Sequence, residues 1–161
     1  MRIGNESVKV KLCRNFAEIY AVMLCCKDDM FDNAISKDKL YELASKYEKN
    51  GIFILAKEHG NITGYAAIYC NDKDGRTAFL STIVIRKAYQ GKGIGRSLIE
   101  EAVKYSKQSE MKKLRLQVSA KNEKAIRFYK KIGFSIISTD VATNSHYMEF
   151  AFLSGCDYSN N

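Results

Sequence analysis

The stretch AYQGKGIGRSLIEE, residues 88–101, places Gly91, Gly93 and Gly95 on alternate positions directly ahead of an unbroken helical run. Glycine there is either a turn device or a way of bringing bare main chain against a ligand. Before it, TAFLSTIVI (77–85) is rich in β-branched residues and reads as a strand. After it, Ile94, Leu98, Ala102 and Tyr105 recur at i, i+4, i+8 and i+11, one face of a helix. Strand, glycine loop and helix thus follow directly, with Lys92 and Arg96 set in the loop and the first helical turn.

Outward from this unit, the hydrophobic periodicity continues to change between strand and helix. SVKVKLC (7–13) alternates as a first strand, while FAEIYAVMLCC (16–26) and KDKLYELASKYEKN (37–50) carry apolar residues at helical spacing. GIFILAKE (51–58), HGN (59–61) and ITGYAAIYC (62–70) read as a hairpin of two long strands, closed towards 77 by the turn NDKDGR. Downstream, KLRLQVS (113–119) is a strand, and NEKAIRFYKKIG is a helix with Asn122 suited to start it and Gly133 to end it. FSIIST and HYMEFAFL close the chain as strands. The order β-α-α-β-β-β-α-β-α-β-β predicts a mixed sheet with helices packed on it.

A length of 161 residues suits one domain over 1–161, long enough to bury most of its surface around a core. No apolar run is long enough to cross a bilayer and the opening MRIGNESVKVKL lacks the apolar stretch of a signal peptide, so a cytoplasmic location without a membrane partner is expected. Cys13, Cys25, Cys26, Cys70 and Cys156 are odd in number and lack metal or redox spacing, so buried free thiols are expected, with no metal site. The net charge of +8 calls for an anionic partner without choosing it. Its spread along the chain argues against a nucleic-acid arm.

Two common phosphate signatures fail at the glycine loop. A P-loop would need glycine where Gln90 stands and lysine where Arg96 stands; a dinucleotide fingerprint would need glycine at Arg96. The physics outlives both. A helix start has unpaired N–H groups and a partial positive charge, and cations placed there are unfavourable until an anion arrives. A diphosphate cradle accounts for the glycines and for Lys92 and Arg96; a plain glycine-rich turn in water is the alternative.

Gln90-Gly91-Lys92-Gly93-Ile94-Gly95 resembles the Gln/Arg-x-x-Gly-x-Gly/Ala signature of the GNAT N-acetyltransferase superfamily. About thirty residues on, NEKAIRFYKKIGF resembles that family's second hallmark, with Asn122, Ala125, Phe128, Tyr129, Gly133 and Phe134 all in place. The match is close from about 77 to 135 and looser upstream. The resemblance implies an α/β fold of the α+β type: a mixed, mostly antiparallel sheet of about seven strands flanked by four helices. It also implies acetyl-CoA as cosubstrate and an amine as acetyl acceptor. Gln90, Gly91, Lys92, Gly93, Ile94, Gly95 and Arg96 would hold the pyrophosphate. The backbone of Ile83, Val84 and Ile85, on a strand that splays from its neighbour, would pair with the pantetheine arm. The Ile85 N–H would donate to the thioester carbonyl, steadying the charge that builds there.

Asn122 and Tyr129 lie seven residues apart, about two helical turns, and so share a face. By resemblance Tyr129 is the general acid for the departing thiolate and Asn122 contacts the cofactor or holds a water. As residues, Asn122 also reads as a helix cap and Tyr129 as a core aromatic. Many relatives place a glutamate base where Phe79 stands here. Ser81, on the same face by strand alternation, is left as a holder of a proton-carrying water. Glu58, Asp28, Asp29, Asp32, His146 and Tyr147 are further bases, or solvated surface groups, and the base stays unassigned. CCKDDMFDNAISKDK (25–39), with Met30 and Phe31 as an apolar wall, is the expected acceptor segment or a plain acidic turn. The leading expectation is an N-acetyltransferase acting on a small-molecule amine, as monomer or homodimer. A protein acetyltransferase and a non-catalytic acyl-CoA sensor are the alternatives.

Overall fold

The computed structural model describes residues 8–153. Its strands are β1 (Val8–Cys13), β2 (Ile52–Glu58), β3 (Asn61–Asp72), β4 (Thr77–Ile85), β5 (Lys113–Ser119), β6 (Ser135–Asp140) and β7 (Ser145–Ala151). Its helices are α1 (Phe16–Cys25), α2 (Lys37–Asn50), α3 (Ile94–Gln108) and α4 (Glu123–Ile132). The seven strands and four helices expected from periodicity are all present. Cys156 lies outside the described residues.

Local chemistry sets the boundaries. Asn15, Ser36 and Asn122 each offer a side-chain oxygen to a backbone N–H three residues on, starting α1, α2 and α4. His59 and Gly60, both at positive φ (49° and 81°), close the β2–β3 hairpin.

The strands form one sheet in the order β1-β2-β3-β4-β5-β7-β6, antiparallel throughout except for the β4–β5 pair. Each face of the sheet carries its own core. On one, Ile54, Ala66, Ile68 and Leu80 pack with Ile94, Leu98 and Ala102 of α3 and Tyr129 of α4. On the other, Phe53, Leu55, Tyr65 and Val84 pack with Ile19 and Met23 of α1 and Leu40, Ala44 and Tyr47 of α2. Helices α3 and α4 thus cover one face and α1 and α2 the other. The centre of the sheet is reached from two sides.

Candidate active site

Parallel pairing between β4 and β5 lasts four residues, Thr77–Leu80 against Lys113–Leu116. Beyond it β4 runs on to Ile85 beside β3, and β5 runs on to Ser119 beside β7, with no further pairing between them. A wedge opens in mid-sheet. At its apex β4 is bulged: Leu80 pairs with Ile68 and Thr82 with Ala67, leaving Ser81 without a partner opposite. Such an insertion bends the strand and increases its twist, which turns β4 away from β5.

Successive N–H groups of a strand point to opposite edges. The Arg86 N–H donates to the Thr63 carbonyl at 2.9 Å, so the Ile85 N–H, like that of Ile83, points into the wedge. Val84 differs from the expectation: its main chain turns towards β3, opposite Tyr65. Gly64, which periodicity did not single out, stands opposite Ile85, and a Cβ there would strike the Val84 carbonyl oxygen. The signal was present, since glycine inside a strand marks a close approach of backbones.

The glycine loop crosses the mouth of the wedge. Gly91 and Gly93 have φ of 79° and 82°, and a Cβ on either would meet nothing within 4 Å. Gly93 is the N-cap of α3 and provides no capping side chain, so the first N–H groups of α3 receive no capping bond from it. Gly95 is glycine for another reason than the anion reading supposed: a Cβ there would lie 2.9 Å from Cζ of Phe128. It leaves room for the Phe128 ring of α4 against the start of α3. Ile94 is buried, also as packing, while Arg96 is exposed. Gln90 is held at both ends, its amide donating to the Ile85 carbonyl at 3.0 Å and its oxygen accepting from Lys124 at 2.7 Å. The Lys92 ammonium lies 4.0 Å from Glu58 and 5.4 Å from the centre of the Tyr89 ring.

Helix α4 starts just past the free end of β5, where Asn122 N–H bonds the Ser119 carbonyl. Asn122 is a cap, its Oδ1 accepting from the Ala125 N–H at 3.3 Å. Tyr129 is 7% exposed and packs against Phe128 and Phe134. Burial raises its phenol pKa above the ordinary value, so the group keeps its proton at neutral pH.

On the opposite face, Tyr47 of α2 brings its hydroxyl to 2.8 Å from the Ser81 Oγ. Phe79 pairs with Tyr69 on one side and Arg115 on the other, and has no proton to exchange. Of the three aspartates between α1 and α2, Asp29 is committed: its carboxylate accepts from the Lys87 N–H at 3.3 Å and lies 3.9 Å from Arg86. It docks this segment on the end of β4. Asp28 and Asp32 are exposed, as is Phe31, whereas Met30 is tucked 4.0 Å from the Tyr65 hydroxyl. So only half of the supposed apolar wall is built. His146 bonds Thr139 at 2.9 Å, and Tyr147 sits opposite Gln117 on β7. Tyr47 and Asp29's docking role were beyond sequence reasoning, because they depend on how α1 and α2 lie on the sheet. Among the described residues no cluster of metal-ligating side chains occurs, and no helix is long and apolar enough to cross a membrane.

A mixed sheet split between its fourth and fifth strands, with a glycine-started helix at the opening, defines the acetyltransferase class of fold. The model of the acetyltransferase (GNAT) family matches residues 16–134, and the chain belongs to that family. It is similar to the mycothiol acetyltransferase of Propionibacterium freudenreichii, with 27% identity over 59% of this chain and 31% of that protein. It is also similar to the spermidine N(1)-acetyltransferase of Vibrio cholerae, with 29% identity over 74% of this chain and 67% of that one. The PaiA N-acetyltransferase of Thermoplasma acidophilum, crystallised with coenzyme A, shares the fold: TM-score 0.72 and 20% identity over 89% of this chain and 99% of that one. The chain thus spans about a third of the mycothiol enzyme's length.

Proposed function

We propose that this protein moves the acetyl group of acetyl-CoA to the primary amine of a small molecule by direct attack within a ternary complex. The observation that carries the reading is the wedge: an N–H from Ile83 and one from Ile85 aim into a gap that ends at the glycine-started helix α3. That gap has the extended backbone edge a pantetheine arm needs, and the helix entrance suits its diphosphate. Residues 90–96 grip the diphosphate, with Lys92 and Arg96 adding positive charge. Lys92 is drawn towards it from Glu58. Asn122 lies where the arm passes the start of α4, and capping does not prevent that contact.

In the transfer step the amine nitrogen's lone pair forms the N–C bond and the C–S bond breaks, its electron pair leaving on sulfur. The Ile85 N–H steadies the thioester oxygen as it gains charge. Tyr129 gives its proton to the thiolate, nitrogen sheds one proton to water, and Tyr129 regains one from water. The relative named as a spermidine N(1)-acetyltransferase supports a small amine as acceptor.

Calorimetry with acetyl-CoA, CoA and ATP tests the cofactor, and thiol release across an amine panel then tests the transfer. Micromolar binding of both CoA species and weak binding of ATP are expected. Preference for ATP refutes the reading. Acetyl-CoA binding without thiol release from any amine identifies a sensor instead. Release with peptide amines alone identifies a protein acetyltransferase.

A further inference from the structure

Ser81 stands at the apex of the wedge, half-buried and without a partner on β3. Its side-chain bond goes instead to α2, where Tyr47 is 2% exposed and wedged between the rings of Phe53 and Tyr69 at 6.1 and 5.7 Å. Either hydroxyl can donate in the 2.8 Å bond, and the greater acidity of a phenol over an alcohol favours Tyr47 as donor and Ser81 as acceptor. Burial pushes the Tyr47 phenol up to about 12, which keeps that donor protonated throughout the neutral range. The Ser81 oxygen then has one lone pair and its own hydrogen left. Both faces of the sheet carry helices, α3 and α4 on one and α1 and α2 on the other, and Ser81 keeps partial exposure at the apex on the Tyr47 side.

We infer that Tyr47 is a positioning residue: it locks the Ser81 hydroxyl so that its remaining lone pair receives an N–H of the incoming amine and aims the nitrogen at the thioester. This rests on the acetyl-transfer reading above. Ser81 then touches the acceptor itself rather than a relay water. Neither hydroxyl takes up a proton, so the amine attacks in its neutral form and the bonds made and broken are those already given.

The test compares the parent with Tyr47→Phe, Ser81→Ala, the double variant and Ser81→Thr. Acetyl-CoA binding is followed by calorimetry, and steady-state thiol release with spermidine, a glycyl dipeptide and a lysine peptide. Ser81→Ala is expected to lower kcat/KM for the acceptor at least tenfold with acetyl-CoA affinity unchanged. Tyr47→Phe should lose a comparable factor, the double variant no more than Ser81→Ala alone, and Ser81→Thr should recover most of the loss. Tyr47→Phe that melts lower yet turns over like the parent overturns the inference, as do single losses that multiply in the double variant. Both of those results leave acetyl transfer standing. A parent that binds no acetyl-CoA, or passes acetyl to none of the three amines, overturns the transfer reading and this role together.

Discussion

Gly60 and Gly93 form a matched pair that isolates what the glycine loop does. Both have φ near 80°, 81° and 82°, and a Cβ on either would meet no atom within 4 Å. Replacing either by alanine forces an L-residue into left-handed backbone, at a cost of roughly 1–2 kcal/mol. For a chain of this size each 1 kcal/mol lowers Tm by roughly 2–4 °C, so each variant should melt roughly 2–8 °C below the parent. In binding the two should part. Gly60 closes the β2–β3 hairpin, while Gly93 caps α3, where the proposed diphosphate lies against the first N–H groups. A methyl group at Gly93 occupies that same open space. Calorimetry with CoA should give parental affinity for Gly60→Ala and at least about tenfold weaker binding for Gly93→Ala, about 1.4 kcal/mol. Equal melting losses with equal CoA affinities would overturn the diphosphate assignment at the start of α3, because the two glycines would then serve the backbone alone.

Tyr129→Phe should cut thiol release far more than it weakens acetyl-CoA binding; steady-state kinetics beside calorimetry would reveal parallel losses, which contradict the acid role. Asn122→Ala removes the α4 cap and should cost about 1 kcal/mol, a Tm fall of roughly 2–4 °C by calorimetric scan. Burial raises the phenols of Tyr47, Tyr65 and Tyr129, so the folded state holds protons that the unfolded state gives up above pH 10. The stability this gives is present below pH 10 and falls as pH rises towards 12 and beyond, so phenolate absorbance from these tyrosines should appear together with unfolding. A thiol reagent should label exposed Cys25 well before Cys13 and Cys26, whose thiols burial pushes up to about 11 and about 12; mass mapping gives the order.

The elements were legible because their signals are local. β-Branched richness gave β4, alternation gave β5 and helical spacing gave α2, each with its observed ends, and Asn122 and Gly133 sit at the two ends of α4. Seven strands and four helices follow from such patterns, yet the strand order does not, since nothing within β5 tells whether β6 or β7 lies beside it. In the glycine loop, alternate glycines in the sequence serve two different purposes in the fold. Gly91 and Gly93 carry positive φ over open space, as a bare-backbone cradle requires, while Gly95 owes its identity to Phe128, thirty-three residues away in the chain.

The apex of the wedge is where local reading failed for a physical reason. Alternation along TAFLSTIVI places Ser81 and Phe79 on one face but cannot reveal that Ser81 is the extra residue of a bulge. A bulge belongs to two strands at once. Its consequences reach further than one side chain: without the insertion, β4 has no local cause to turn away from β5 at Leu80. Gly64 works in the same place from the other side, letting β3 lie against the Val84 carbonyl so that the diverging end of β4 keeps one partner as it loses the other. The opening is therefore held by backbone geometry on two strands, β3 and β4, and the side chains around it are free to set the chemistry. That division of labour lets Phe79, a side chain with no proton to exchange, stand two residues from Ser81 without closing the gap. The fold supplies the gap, and Tyr47 reaches Ser81 from a helix on another layer.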